Sequence, residues 1–330
     1  MDLLPSPEQD EIRASAAAFL AANAPVTSNR ALFDEPTNID AKVWAGAADL
    51  GWFALGLPES EGGVGCGLAD EAVLFREIGR SLVSGPFLST VLAARVASFA
   101  GDEALTAALI GGAPVGLVVA SDPVQLVDAV GAEHVLAIGP DVAALYALAD
   151  LEFIDPLASI DPAVRLVRTS LDGVTPVVSV RADVDPIERR ATVLVAAMHT
   201  GIAEAVRDMA AEHAKTRVQF DKPIGVHQGV KHPCADMAVE AELAWAQTIV
   251  AAVATDEGRA DAELQALAAR VVAGHAASHG TSATIQVLGG MGFTFEHDGN
   301  LFLKRAYVLD HLLGDERDAL DRLIALPAAV

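Results

Sequence analysis

Two short segments carry the residue types best suited to gripping a ligand. The first runs from Arg217 through Gln219, Phe220, Asp221, Pro223 and Gly225 to Gln228. An arginine presents a planar fork of donors that matches a phosphate. A phenylalanine ring can stack on a planar group, and a glutamine can bond an amide or an adenine edge. Pro223 and Gly225 fix a turn among them. The second segment is Gln286 to Phe293, with Gly289, Gly290 and Gly292 inside it. Its paired glycines let backbone amides approach a pyrophosphate or a carbonyl closely. Each segment follows a long helical pattern, so the two together predict a ligand lying across helix ends. An ordinary helix–helix loop with a surface arginine, and a plain glycine C-cap, fit the same residues.

Other chemistry-bearing residues are sparser. His275 and His279 lie four apart on a predicted helix and could form half of a metal site. No acidic residue completes the motif, so no metal is expected. Lys231-His232 beside Pro233 fits a phosphate contact or the start of a helix. Cys66 and Cys234 cannot build a disulfide framework and read as two reduced thiols. The 45 acidic and 22 basic residues give a formal charge of −23. That field repels nucleic acid and anionic membranes. A polyanionic ligand would need local positive charge, which Arg217, Lys222, Lys231, Lys304 and Arg305 can supply. No apolar run reaches the length of a membrane span. The N-terminus opens on acidic and polar residues rather than a secretion signal, so the expected location is cytoplasmic.

The elements that must position these residues are mostly helices. Ser6-Pro7-Glu8-Gln9 reads as an N-cap, a first-turn proline and a capping-box partner. Ile12, Ala16, Phe19 and Leu20 then share one apolar face. Helices are predicted over Trp44–Leu57, Asp70–Leu82 and Leu88–Phe99. Pro58 to Gly67 is a glycine-rich turn. It is not a dinucleotide fingerprint, because no strand precedes it. From Pro114 the pattern changes to short β-type runs: Val115–Ala120, Val135–Ile138, Leu166–Arg168 and Val174–Val180. This stretch is short for an independent barrel. After Pro186 long helical patterns return, as in a bundle. The expected organisation is an N-terminal helical domain (1–113), a shortened middle β domain (114–185) and a C-terminal four-helix bundle (186–330), the last also carrying oligomerisation. The fold class is mainly α with a small β domain.

This order of segments resembles the acyl-CoA dehydrogenases, flavoenzymes that desaturate acyl thioesters. Pro58, Glu59, Gly62, Gly63 and Gly65 are similar to the family's loop after its third helix. Arg217-x-x-Phe220 with Gln228, then Ala235-Asp236-Met237, then Gln286-x-x-Gly289-Gly290-x-Gly292-Phe293 match its C-terminal domain in order and spacing. The resemblance implies FAD held across a subunit interface. Arg217, Gln219, Phe220 and Gln228 would hold one side of its diphosphate and adenine, and Gln286, Gly289 and Gly290 another. It also implies an acyl-CoA substrate and an acceptor like the electron-transfer flavoprotein. Asp221 stands where the family usually has glycine. The family's Thr-Glu-Pro strand end with its Gly-Ser-Asp turn is only echoed by Val118–Pro123. Its tryptophan strand has no counterpart, since no tryptophan lies between Trp52 and Trp245.

The reaction needs a carboxylate at the substrate α-carbon. Alignment through Phe302, Arg305 and Ala306 puts Leu313-Gly314-Asp315 where the family has Glu-Gly-Thr. Some members place the base early in the first helix of the C-terminal domain, where Ala191 stands here. Glu188 shares that helix face one turn away, and Asp310 and Asp315 flank the other position. The expectation is a chain without a general base, the non-catalytic partner of a homologous catalytic subunit. It resembles the shorter subunit of heterotetrameric actinobacterial steroid-type acyl-CoA dehydrogenases. An active homo-oligomer with Glu188 or Asp315 as a displaced base, and a helical scaffold without flavin, are the alternatives.

Overall fold

The computed structural model describes residues 3–327. The first helix, α1 (Pro7–Asn23), starts as its sequence demands: the Ser6 hydroxyl accepts from the Gln9 N–H at 3.2 Å, and the Gln9 side chain accepts from the Ser6 N–H at 3.2 Å. The second, α2 (Ala41–Asp49), is shorter than the helix expected over Trp44–Leu57. Gly51 turns left-handed at φ 74°, and Trp52–Ala54 becomes a 3-10 turn. The break drops Trp52 and Phe53 into an aromatic cluster with Trp44 and Phe87, a tertiary gain that outweighs continued helix. Then come α3 (Leu68–Ser81), α4 (Phe87–Phe99) and α5 (Glu103–Ile110). Helix α5 was not anticipated, although Asp102 caps it by accepting from the Leu105 N–H at 3.0 Å.

The middle segment is one sheet of seven strands: β1 (Val115–Val119), β2 (Gln125–Val127), β3 (His134–Ile138), β4 (Val142–Ala147), β5 (Glu152–Leu157), β6 (Leu166–Ser170) and β7 (Val178–Arg181). Their order is β5-β6-β2-β1-β3-β4-β7. Only β1 and β3 pair in parallel. Strands β2, β4 and β5 escaped the sequence reading. β2 is three residues long, β4 is rich in alanine, and β5 carries Asp155 and Pro156 beside a register shift. The run expected over Val174–Val180 forms strand only from Val178.

The C-terminal helices are α6 (Ile187–Thr216), α7 (Gln228–Asp256), α8 (Ala262–Leu288), α9 (Gly299–Asp310) and α10 (Glu316–Ala325). Residues 190–204 of α6 are buried throughout, so this helix is the axis of the molecule. It crosses α3 at backbone contact. A Cβ on Gly79 would sit 2.1 Å from the Met198 carbonyl oxygen, and one on Gly201 1.9 Å from that of Arg76. Only glycine fits at either point. By length and composition α7 qualifies as a membrane span, contrary to the expectation that no run would. Here it packs between α6 and α8.

Buried ion pairs join these parts. Arg190 binds Glu71 at 2.5 Å and Asp256 at 3.0 Å, and Arg76 pairs with Glu204. The Arg165 guanidinium, next to β6, donates to the carbonyls of Leu32 (2.5 Å), Glu35 (2.7 Å) and Pro162 (2.7 Å). Asn38 donates to the Ala163 carbonyl at 3.0 Å. The sheet is therefore fastened to the N-terminal segment at residues 32–38 through Ala163 and Arg165.

Candidate functional site

The direction of the long helices decides where the two candidate loops lie. His199 of α6 meets Arg270 of α8 at 3.4 Å, and further along Val206 accepts from the Thr284 hydroxyl at 2.9 Å. Helices α6 and α8 thus run the same way. Helix α7 runs against them, since Glu240 meets His279 and Gln247 meets Gln265. The end of α6, the start of α7 and the end of α8 consequently gather at one end of the bundle. This brings Arg217, Gln228 and Gln286 to a common edge.

The first loop is a hairpin. After Arg217, β8 (Val218–Gln219) pairs with β9 (Lys222–Pro223). The two residues between them, Phe220 and Asp221, have φ values of 52° and 61°. A two-residue hairpin turn demands left-handed backbone, and glycine or asparagine normally supplies it. Asp221 therefore takes the glycine's conformation without being glycine. Phe220 is 90% exposed. A large ring held in solvent on a strained backbone has no packing explanation within this chain. Gly225 lets the loop close on α6, where a Cβ would lie 2.9 Å from the Ala214 carbonyl oxygen.

The second loop begins with Gly289 at φ 65°, whose N–H closes the end of α8, so the C-cap reading applies. Packing does not explain the glycine pair further. A Cβ on Gly289 or Gly290 would meet nothing within 4 Å, whereas one on Gly292 would crowd Leu288 at 3.0 Å. Gly289 and Gly290 are open to an outside molecule, and Gly292 serves the fold.

Among the described residues, the side chains of Arg217, Gln219, Gln228 and Gln286 make no hydrogen bond or ion pair, and all are exposed. Arg217 shares this state only with Arg317 among the arginines, in a chain with a large excess of carboxylates. Its donors are free for an external anion. Burial first, and then the Arg217 charge, hold His213 below the usual histidine range. Of the other cations expected to help, Lys304 lies over the Phe295 ring at 4.6 Å. Arg305 is not available. It is buried against Asp161 at 2.5 Å, because it holds α9 to the segment before β6. Around both loops Val218, Val226, Met291 and Phe293 are exposed, as are Val239 and Leu243 on α7.

A separate cleft of about 540 Å³ opens between the sheet and the C-terminal helices. Val119, Ser121, Gln125 and Leu166 line it from the sheet. Tyr307, His311, Leu312, Gly314 and Asp315 line it from α9 and the turn beyond. The Val118–Pro123 segment thus reaches the cleft. Tyr307 and His311 went unnoticed in the sequence. Their spacing of four at the end of one helix was the available signal. The His311 Nδ1 is 2.8 Å from the Tyr307 carbonyl oxygen.

Neither position at which the sequence led us to expect a base carries a carboxylate. Leu313 is half-buried against the core, and Ala191 is fully buried. The nearby acids have other partners. Glu188 does not line the cleft; it accepts two bonds from Arg322 at 2.8 and 3.1 Å. Asp310 pairs with Arg270 at 3.0 Å. Asp315 does line the cleft, but it caps α10: its carboxylate accepts from the Asp318 N–H at 2.9 Å, and Asp318 accepts in return from the Asp315 N–H at 3.0 Å. One Asp315 carboxylate oxygen is thereby engaged at the start of α10. His275 and His279 acquire the acidic neighbour that the sequence reading lacked. It is Glu240, which comes from α7.

Two family profiles match the chain. The family profile for the acyl-CoA dehydrogenase N-terminal domain matches residues 6–112, and that for the C-terminal domain matches residues 189–317. The acyl-CoA dehydrogenase IpdE2 of Mycobacterium tuberculosis is 34% identical over 97% of this chain and 98% of its own length. FadE34 of the same organism is 35% identical over 96% of this chain, which spans only 46% of FadE34. Among solved structures, a chain of the ChsE4-ChsE5 complex from Mycobacterium tuberculosis superposes with a TM-score of 0.83 at 22% identity, covering 99% of this chain and 100% of that one.

Proposed function

This chain belongs to the acyl-CoA dehydrogenase family, and we propose that within it the chain completes the FAD site of a homologous catalytic subunit rather than taking the substrate proton itself. Proteins of this family bind FAD and oxidise a carbon–carbon single bond of an acyl-CoA. The observation that carries the proposal is the state of the two base positions. Leu313 and Ala191 have no proton acceptor, and Glu188, Asp310 and Asp315 are committed to Arg322, Arg270 and the start of α10. A base must be free to reach the α-carbon.

The residues at the bundle end fit the nucleotide part of FAD. Arg217 would pair with a phosphate oxygen, as its unpartnered and exposed guanidinium permits. Gln228 and Gln286 would bond polar edges of the adenine or ribose. Gly289 and Gly290 would let the diphosphate lie against backbone. When bound, FAD supplies the two-electron oxidant. The chain's own part is to hold and orient its tail. The partner would carry the base, the flavin ring and the acyl-CoA, and would pass electrons to an acceptor like the electron-transfer flavoprotein.

Two further findings support a partner. Phe220, Phe293 and the apolar residues near them are exposed where a second subunit would cover them. FadE34 has a region like this chain in less than half its length, leaving room for a second subunit-sized region. A heterotetramer is the assembly this reading implies. A bulky acyl group, such as a steroid side chain, is the substrate class that the resemblance suggests.

A second reading has one observation in its favour. Asp315 lines the 540 Å³ cleft, so a rearranged α10 terminus would expose a displaced base in an active homo-oligomer. Purification separates the two readings. Expressed alone, the chain is expected to carry no stable flavin and to leave acyl-CoA unoxidised. Isolated with its partner, the complex is expected to hold fewer FAD molecules than polypeptides. Ordinary desaturation by the pure chain alone would overturn the proposal.

A further inference from the structure

We propose that Glu240, His275 and His279 form a binding site for a transition-metal dication of the zinc type on the outer face of the α7–α8 pair. His275 and His279 stand one turn apart on α8, with rings parallel to within 9° and centroids 5.7 Å apart. Glu240 reaches between them from α7. Its Oε2 lies 2.7 Å from the His279 Nδ1, and its Oε1 lies 3.8 Å from the His275 Nε2. The three ligand atoms lie within 4.8 Å of one another. Tetrahedral zinc, with bonds of about 2.0–2.2 Å, needs its ligands roughly 3.4 Å apart. Small rotations of two exposed imidazoles close that difference without moving backbone.

The backbones of the two helices are closely packed here. Ala241, Ala244, Ala273, Ala276 and Ala277 are buried on α7 and α8, and they bring the helices close. Such support fixes a ligand set before the ion arrives. The charge balance also favours an ion. Among the described residues Glu240 has no arginine or lysine partner; its carboxylate faces only the two imidazoles. One dication satisfies the carboxylate and both ring nitrogens together. Two nitrogens and one oxygen select zinc, cobalt, nickel or copper over magnesium or calcium. In the single chain the exposure of both histidines leaves the fourth position to water.

The test uses the full chain, together with any subunit that co-purifies with it. Zinc binding is measured by equilibrium dialysis in excess magnesium, which removes ions gathered only by the −23 charge. Cobalt binding is followed by the visible absorption of a four-coordinate ion. One ion per chain is expected. His279→Ala and Glu240→Gln should each weaken binding by about 100-fold or more. Both variants should keep the wild-type melting temperature in chelator, since these residues lie at the surface. His311→Ala should bind zinc as wild type does. Displacement of zinc by magnesium, absence of a saturable site, or wild-type affinity in the Glu240→Gln and His279→Ala variants would overturn the proposal.

Discussion

Two buried groups give this chain opposing responses to pH, and one substitution should separate them. Asp128 is buried after β2 near Asn38 and Arg305. Burial pushes its carboxyl up to about 6 from 3.8, against the pull of the Arg165 N–H it accepts from at 2.8 Å. His199 lies inside α6, next to the Ala306 carbonyl at 3.2 Å and Arg270. Burial first, and then the Arg270 charge, push it down to about 3 from 6.5. A raised carboxyl makes its stability contribution in full below pH 3.8 and loses it as pH rises through 6. A lowered histidine contributes in full above pH 6.5 and loses its contribution as pH falls towards 3. Between about pH 4 and 6 the folded chain keeps a proton on Asp128 while the unfolded chain keeps one on the histidine, so the slopes cancel. Asp128→Asn removes one side of the balance. Asparagine tolerates the φ of 53° at this position, and its oxygen can still accept from Arg165. Each pKa unit is worth about 1.4 kcal/mol, so the raised carboxyl corresponds to about 3 kcal/mol. The variant's stability minus that of wild type should therefore rise by about 3 kcal/mol from pH 3.5 to pH 7. Urea unfolding at half-unit pH steps measures the difference, and subtraction removes the surface carboxylates common to both proteins. A difference that stays flat with pH, or falls as pH rises, would refute the reasoning.

Arg217→Ala should lower flavin affinity in the assembled complex about 10- to 100-fold, the range for losing a charge-assisted hydrogen bond. The melting temperature of the flavin-free complex should not change; equal flavin occupancy at limiting FAD counts against the nucleotide role. Gly201→Ala drives a methyl into the Arg76 carbonyl and should cost about 3 kcal/mol or more in urea unfolding. Glu188→Gln leaves Arg322 its second partner, Glu263. It should cost at most about 1 kcal/mol and leave the complex's turnover unchanged, so a large loss of turnover would revive Glu188 as a base.

Much of the helical framework was legible because its signals are local. Ser6 and Gln9 are three residues apart, and the capping box they form needs no knowledge of the rest of the chain. The loop at Arg217–Gln228 and the glycines after Gln286 were readable for the same reason. Features made by distant residues were not. Glu240 comes from another helix to meet His275 and His279, so spacing alone suggested that no acid was present. Arg305 looked like a cation open to a ligand until Asp161 was placed against it. The helix expected through Leu57 breaks at Gly51 because Phe87, far along the chain, offers Trp52 and Phe53 a better environment. Strands as short as Gln125–Val127 gain their identity from ladder partners on either side. The cleft lined by Tyr307 and His311 needs both the sheet and α9, and neither part has a motif that names the other.

The Arg165 clamp has a mechanical meaning. One guanidinium ties off several carbonyls at the end of a 3-10 turn, and Asn38 adds a second tie two residues along the sheet's connecting loop. Swinging the sheet outward would strip all of those acceptors at once. The clamp therefore holds the sheet's loop against residues 32–38, while Arg305 and Asp161 hold α9 to the same loop from the other side.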